Sequence, residues 1–266
     1  MGLTSQACGL RALRKAFNLD DGQDNLIIAL AGNPNTGKST LFNYLTGLNQ
    51  HTGNWPGKTV VLAKGHFCFS GERYTLVDLP GTYSIIAKSV EEETARDFIC
   101  FAQPHATIVV VDATCLERNL NLVLQILEVT PRVIVCVNLI DEARRKKIEV
   151  DTEKLYSELG VPVVATSATK GEGIPELLEV IREVAHGNLV PSPRKIEYPP
   201  EVENAVAHLE PLLQQILKGF INSRWAALRL LDGDSTLLKS IENYFLPDIV
   251  QELEVKLKHE LKFISA

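Results

Sequence analysis

The feature that most restricts the fold of this chain is the glycine-rich stretch GNPNTGKS at Gly32–Ser39. It follows the apolar run LIIALA at Leu26–Ala31, which predicts a buried strand, and it precedes a helical pattern at Leu41, Phe42 and Leu45. A strand, a glycine-rich loop ending in lysine and serine, and a helix form the arrangement in which backbone N–H groups surround phosphates. The segment therefore predicts a phosphate-binding loop at the end of a strand.

Two side chains of this loop have definite predicted roles. Lys38 is expected to neutralise the β- and γ-phosphates of a nucleotide, and Ser39 to place its hydroxyl on Mg2+. The other residues predicted to contact the nucleotide here are Asn35, Thr36, Gly37 and Thr40.

A second motif, DLPG at Asp78–Gly81, directly follows the apolar strand pattern YTLV. An aspartate at the end of a strand can hold Mg2+ through water, and the Gly81 N–H can donate to a γ-phosphate. The next residue is Thr82, at the position where Ras-like switches carry the glutamine that orients the attacking water. No side-chain amide is therefore predicted at that position.

The stretch HTGNWPGKTV, between the first helix and the second predicted strand, is expected to contain the γ-phosphate sensor. Thr59 is the candidate, with its hydroxyl on Mg2+ and its N–H on the γ-phosphate, and Thr52 is the alternative. Together with Lys38 and Gly81, Thr59 makes up the predicted catalytic set.

Two further segments carry the pattern of guanine recognition. NLID at Asn138–Asp141 follows the strand VIVCV and resembles the usual NKxD, in which the aspartate accepts from guanine N1–H and the 2-amino group. Leu139 stands in place of the lysine. SAT, beginning at Ser167, follows VPVVA, and the Ala168 N–H is expected to donate to guanine O6. These motifs, in this order at strand ends, predict a GTP- or GDP-binding site made from Asn138, Asp141, Ser167 and Ala168 as well as the phosphate loop.

Strand and helix patterns alternate through the first two thirds of the chain. The predicted strands are Leu26–Ala31, Val60–Phe69, Tyr74–Val77, Thr107–Val111, Val133–Val137 and Val161–Ala165. Only SGER separates the second and third of these strands, which predicts a hairpin and one antiparallel edge. The expected fold is α/β, the phosphate-loop GTPase fold with a mostly parallel six-stranded sheet, followed by a small all-helical domain.

Four segments are predicted along the chain. A proline-rich stretch marks the boundary, and a continuous helical pattern follows it. The segments are an N-terminal extension (1–25), a GTP-binding domain (26–186), a linker (187–200) and a helical regulatory domain (201–266). The extension has helical spacing, and we expect it to dock on the GTP-binding domain, with membrane-surface contact as the alternative.

The net charge and the distribution of apolar residues restrict what this chain is expected to bind. The net charge of −6 gives no electrostatic reason to expect nucleic-acid binding. No apolar run approaches the ~18 residues of a membrane span, so the chain by itself is expected to be soluble.

Taken together, the motifs indicate a particular protein family more specifically than the phosphate loop does alone. GNPNTGKSTLFNYLTG, GNWPGKTV, DLPGTYS and EEETARDF at Glu91–Phe98 resemble the cytosolic N-terminal part of the bacterial ferrous-iron transport protein B (FeoB) family. The resemblance implies a GTPase at the cytoplasmic face of the bacterial inner membrane, followed in the full-length protein by a membrane domain that carries Fe2+. It also implies K+ activation through Asn35, and a helical domain that favours the GDP-bound state. Small cytosolic accessory proteins and a homo-oligomer remain open as partners.

Three functions compete on the sequence alone. The first is a GTPase module that regulates a fused iron transporter. The second is a GTPase acting in ribosome or RNA maturation, which predicts a basic appendage, whereas the C-terminal ELEVKLKHELK mixes both charges. The third is a non-catalytic interaction module, which a GTP turnover assay would distinguish from the first.

Overall fold

The computed structural model describes residues 25–48, 50–54, 60–86 and 88–244, together with Arg14 and Leu19. The chain forms two compact units, Met1–Arg194 and Lys195–Ala266. The division falls inside the segment predicted as a linker, 187–200. The Ser192 N–H donates to the Gly160 carbonyl at 3.0 Å, so the first part of that segment is bound to the N-terminal unit.

The N-terminal unit contains a seven-stranded sheet of order β2-β3-β4-β1-β5-β6-β7. The strands are β1 (Leu26–Gly32), β2 (Gln50–Asn54), β3 (Val61–Phe69), β4 (Glu72–Asp78), β5 (Ala106–Asp112), β6 (Val133–Asn138) and β7 (Val163–Ala165). β4, β1, β5, β6 and β7 pair in parallel, whereas β2, β3 and β4 pair antiparallel at one edge. The mostly parallel fold and the six predicted strands are confirmed. β2 is an additional strand, and its sequence QHTGN has no apolar run that would have indicated it.

Helices follow most strands of this unit. They are α1 (Lys38–Thr46), α2 (Val90–Asp97), α3 (Leu116–Val129), α4 (Ile140–Arg145), α5 (Thr152–Leu159) and α6 (Ile174–His186). α2 continues at Phe98 into a π-helical turn that ends at Ala102. The apolar face of α6 belongs to the core, since Ile174, Leu177, Ile181 and Val184 are buried in the cluster that contains the strands.

The direction of the strands brings the predicted motifs to one edge of the sheet. Parallel strands β1, β4 and β6 end at Gly32, Asp78 and Asn138, and each end continues into a motif loop. A Cβ at Gly32 would lie 2.6 Å from the Val110 carbonyl oxygen of β5, so only glycine fits where the chain leaves β1. Ligands of open α/β sheets bind outside the carboxyl ends of the strands, so a ligand is expected at this edge.

Arg14 and Leu19 of the N-terminal extension are described, and one of them, Arg14, contacts the rest of the N-terminal unit. Arg14 donates from Nη2 to the Gln103 carbonyl at 3.3 Å, and the Leu19 N–H donates to the Arg14 carbonyl at 2.8 Å. Leu19 is buried. These contacts favour docking of the extension over a membrane-surface role.

The C-terminal unit is helical in its described part. Its helices are α7 (Pro200–Leu217), α8 (Ser223–Leu231) and α9 (Ser235–Tyr244). α7 has an apolar face that is buried and consists of Val206, Leu209, Leu213, Ile216 and Leu217. The last part of the predicted helical domain, 245–266, lies outside the described residues. None of the helices in the described ranges combines the length and apolar character needed to cross a bilayer.

Candidate nucleotide site

The glycine before α1 shapes the phosphate loop. Gly37 has φ 80°, and a Cβ on it would lie 2.3 Å from Nδ2 of Asn138. Glycine is therefore required both by the left-handed backbone and by the close approach of the amide. Because Gly37 gives α1 no side-chain cap, the first N–H groups of the helix are left to bind an anion. Ser39 and Thr40 are exposed in this first turn.

Two polar residues hold the middle of the loop. The buried Thr36 donates from Oγ1 to the Asn33 carbonyl at 3.0 Å. Asn35 is exposed and has φ 65°, a conformation that asparagine adopts more readily than most residues. The turn alone thus accounts for an asparagine at this position, and the K+ role of Asn35 remains a prediction.

Lys38 joins the phosphate loop to the second motif. Its ammonium contacts Oδ1 of Asp78 and donates to the Leu79 carbonyl at 2.7 Å. Burial raises the pKa of the Asp78 carboxyl, and the attraction of Lys38 opposes that rise. Lys38 is therefore positioned between the two motifs, beside the carboxylate predicted to hold Mg2+.

The DLPG turn packs on the phosphate loop. A Cβ on Gly81 would lie 3.5 Å from the backbone nitrogen of Pro34, an ordinary contact. The Thr82 N–H donates to the Gly32 carbonyl at 3.3 Å, and the Thr82 side chain is buried. Thr59 lies outside the described residues, and the backbone of Thr52 lies in β2, opposite Ala63.

A side-chain amide does reach the segment after DLPG, but from another element. Gln125 of α3 accepts through Oε1 from Ser84 Oγ at 3.0 Å and from the Ile85 N–H at 2.9 Å. Two turns toward the start of the same helix, the guanidinium of Arg118 lies 4.4 Å over the ring of Tyr83. α3 thus fixes the segment that follows Thr82.

Asn138 links the loops of the site. Its Nδ2 donates to the Thr36 carbonyl at 2.9 Å, and its Oδ1 accepts from Thr166 Oγ1 at 3.1 Å and from the Ala168 N–H at 3.0 Å. Cys136 adds a further contact to this hydrogen-bond network, because its Sγ lies 3.1 Å from Thr166 Oγ1. Burial raises the pKa of the Cys136 thiol to about 12. Because the Ala168 N–H already has this acceptor, its predicted donation to guanine O6 requires that the bond be shared or broken.

Asp141 lies in the first turn of α4, beside the loop that follows β7. Desolvation there opposes ionisation, but hydrogen bonds from Ser167 and Lys170 outweigh it and hold the pKa of the carboxyl below its usual value. Lys170 Nζ is 3.3 Å from Asp141 Oδ2. Asp141 is therefore an ionised acceptor at the edge of the site, as guanine recognition requires.

Three contributors were missed at the level of the sequence. Thr166 and Lys170 directly flank the SAT tripeptide, so their position in sequence was a usable signal. Gln125 lies within a helical pattern about 40 residues from the motif that it contacts, so only the fold reveals it.

The fold and the arrangement of these loops define a phosphate-loop GTPase fold, followed by a helical unit. A family model described as ferrous iron transport protein B matches residues 26–181, and one described as the FeoB cytosolic helical domain matches residues 198–264. The chain belongs to the ferrous iron transport protein B family.

Individual relatives agree with this assignment. The Fe(2+) transporter FeoB of Salmonella typhimurium is 40% identical over 220 residues, which cover 79% of this chain and 27% of the relative. The chain thus spans little more than a quarter of the length of that curated relative. The cytosolic domain of the T. maritima FeoB iron transporter in a GDP form is 35% identical, with a TM-score of 0.73 and coverage of 91% of this chain and 95% of that one. Its GMPPNP form is 34% identical, with a TM-score of 0.72 and coverage of 90% and 96%.

Proposed function

We propose that this chain binds GDP and GTP at the candidate nucleotide site and hydrolyses GTP there. The observation that carries the proposal is the set of hydrogen bonds made by Asn138, since it joins the phosphate loop to the second guanine segment at the carboxyl edge of the sheet. The GDP and GMPPNP forms of the T. maritima relative support the same ligands.

The chain supplies distinct groups to the two ends of a nucleotide. Lys38 and the uncapped N–H groups of α1 suit the phosphates, because both present positive charge to an anion. Asp141 suits guanine, because an ionised carboxylate accepts from N1–H and the 2-amino group together. Adenine offers no such pair of donors, so the site would select GTP over ATP.

The residues at the phosphate end fit Mg2+. This ion takes oxygen ligands. The Ser39 hydroxyl lies in the helix that follows β1, and the Asp78 carboxylate is at the end of β4, the neighbour of β1 in the sheet. These two residues, with Thr59, would hold the ion. The ion would supply positive charge beside the phosphates, where negative charge develops as GTP is cleaved.

Hydrolysis would rely on backbone groups. The Gly81 N–H would donate to the γ-phosphate, and Lys38 would neutralise the developing charge. Thr82 is short and buried, so the attacking water would be held mainly by the backbone of the DLPG turn and of the loop that contains Thr59. A K+ ion held by the exposed Asn35 would add positive charge beside the phosphates.

In the longer protein, we propose that GTP turnover regulates ferrous iron uptake by a membrane domain C-terminal to this chain, at the cytoplasmic face of the bacterial inner membrane. The membership in the ferrous iron transport family favours this function over ribosome or RNA maturation. The helical unit would act as the regulatory element. Cytosolic accessory proteins and a second copy of the chain are further proposed partners.

Titration of the purified chain with GTP, GDP and ATP, followed by phosphate release with Mg2+, tests the enzymatic part. Wild type should prefer GTP over ATP and release phosphate. Lys38→Ala should lose turnover, whereas Lys154→Ala, which removes an exposed cation of α5, should behave as wild type. Binding without turnover would instead favour the non-catalytic interaction module.

The regulatory part needs a transporting protein. This chain can replace the corresponding segment of the Salmonella typhimurium relative, and ferrous iron uptake can be measured in cells. Uptake that survives Lys38→Ala unchanged would contradict regulation by GTP turnover.

A further inference from the structure

Lys170 has no role in the motifs, yet it is the residue that contacts the predicted guanine acceptor. Its Nζ lies 3.3 Å from Oδ2 of Asp141, and the Ser167 hydroxyl donates to the same carboxylate. A carboxylate has about four lone-pair sites, so two such donors leave room for the paired N–H groups of a base. The contact can thus orient the acceptor without blocking it.

The loop that carries Lys170 is held firmly against β7. The Lys170 N–H donates to the Ser167 carbonyl at 3.0 Å, and the Ser167 N–H donates to the Glu172 carbonyl at 3.0 Å. A Cβ on Gly173 would lie 2.0 Å from the Ala165 carbonyl oxygen, so the loop has no space to shift toward the strand. Lys170 therefore extends from a fixed backbone.

Leu139, the other residue that could have placed a cation near the base, carries none. It has φ 61°, and its Cδ2 would be 3.7 Å from a Cβ on Gly37, so its side chain covers the phosphate loop. The positive charge beside Asp141 comes instead from the opposite side, from the loop after β7.

We propose that Lys170 is a specificity-determining residue, which positions the Asp141 carboxylate for the two N–H donors of guanine. The inference rests on the proposed function, since it needs a guanine nucleotide at this site. Lys170 acts through Asp141 and is a positioning residue rather than a catalytic one.

The structure offers a matched control for this ion pair. Arg144 of α4 pairs with Glu172 at 2.6 Å, so it also joins α4 to the loop after β7. The side chains of Lys170 and Arg144 are 63% and 61% exposed, so the two cations are in similar solvent. Only Lys170 contacts Asp141 among these two.

The test is the ratio of the Kd for inosine diphosphate to the Kd for GDP, because inosine keeps N1–H and lacks the 2-amino group. A loss of electrostatic attraction for the phosphates, or a partial loss of folding, weakens the binding of both nucleotides equally and leaves the ratio of their Kd values unchanged. Since exposed ion pairs contribute up to about five-fold to an equilibrium, we expect Lys170→Met to lower the ratio about three-fold. Lys170→Arg should retain it, and Arg144→Met should leave it at the wild-type value.

A second arm uses Asp141→Asn as the background. In the Asp141→Asn variant the ratio of the two Kd values should already be low, and adding Lys170→Met should not lower it further. An unchanged ratio in Lys170→Met alone, or an equal fall in Arg144→Met, would overturn the positioning role. A wild-type chain that binds neither nucleotide would instead overturn the proposed function, so the two failures can be told apart.

Discussion

Asn138 donates from Nδ2 to the Thr36 carbonyl at 2.9 Å, so the strand end that begins the guanine motif is tied directly to the phosphate loop. The same amide accepts from Thr166 and from the Ala168 N–H. It is almost wholly buried, at 1% exposure, so its partners have no access to water as a substitute. Asn138 thus holds the loops of the site together and fixes their geometry.

Asn138→Ala should accordingly destabilise the protein. Each buried group left without a partner costs about 1–3 kcal/mol, so we expect the free energy of unfolding to fall by about 2–4 kcal/mol. Thr166→Val, which removes one hydroxyl and keeps the shape, should cost about 1 kcal/mol. Urea denaturation without nucleotide measures both. Asn121→Ala, on the exposed face of α3, is the control and should change stability little.

The stability of the N-terminal unit should also fall at mildly acidic pH because of His105. Its Nδ1 accepts from the Ile27 N–H at 2.8 Å, and burial together with Arg14 and Arg132 lowers the pKa of the imidazole from 6.5 to about 4. The unfolded chain then binds the proton first, so stability present above pH 6.5 is lost as the pH falls toward 4.

The expected loss is at most about 3 kcal/mol over that interval. His105→Gln keeps an acceptor but cannot be protonated, so this part of the pH dependence should disappear in the variant. Urea denaturation between pH 7 and pH 4 measures the difference between the two proteins. Parallel pH profiles for wild type and variant would contradict a neutral, partly buried His105.

The motifs that could be predicted from the sequence are those whose structure is determined by the residues of one short segment. Gly37 needs a left-handed backbone beside Asn138, and Lys38 must follow it at the start of a helix. Such requirements are local, so residue type and order suffice to find them. The apolar strands were found for the same reason, since each buries a continuous run.

Features that depend on distant packing were not predicted. β2 is a polar edge strand whose pairing with β3 gives it order, and nothing in QHTGN indicates it. Gln125 reaches the segment after DLPG because α3 lies across it. The hydrogen bond from the Ala168 N–H to Asn138 Oδ1 likewise depends on the pairing of β6 with β7.

Guanine selection should depend on Asp141. Replacing it with asparagine substitutes a donor for an ionised acceptor, so we expect GTP affinity to fall by at least about thirty-fold, the scale of a lost charge-assisted hydrogen bond. Xanthosine triphosphate presents an acceptor where guanine has the 2-amino group, so its binding should improve. Competition titration with both nucleotides tests this, and an unchanged preference for GTP would mean that the base lies elsewhere.

Potassium should accelerate GTP turnover through Asn35. A cation beside the phosphates stabilises charge that develops in the transition state. Because Asn35 has φ 65°, alanine would strain the turn, and Asn35→Gly is the cleaner variant. Wild type should turn over faster in KCl than in NaCl at equal ionic strength, and the ratio of the two rates should approach one in Asn35→Gly. A wild type without K+ preference would remove this role from Asn35.

The water that attacks GTP should not depend on the side chain at the position of the usual glutamine. Thr82 is only 6% exposed and its N–H is bound to the Gly32 carbonyl, so its hydroxyl is poorly placed to reach a γ-phosphate. We expect Thr82→Ala to cost less than the ~2.7 kcal/mol associated with losing a key transition-state donor. Thr82→Ser, which keeps the hydroxyl, controls for the lost methyl group.

Thr59→Ala should cost much more in turnover, because the loop that contains Thr59 is expected to close on the γ-phosphate and assemble the site. Its GDP affinity should stay near that of wild type, since GDP has no γ-phosphate for the loop to contact. Single-turnover rates separate the chemical step from product release, and GDP titration checks that the site remains intact. If Thr82→Ala abolished activity and Thr59→Ala did not, the assignment would reverse, and the Thr82 hydroxyl would have to turn out of its buried position to orient the water.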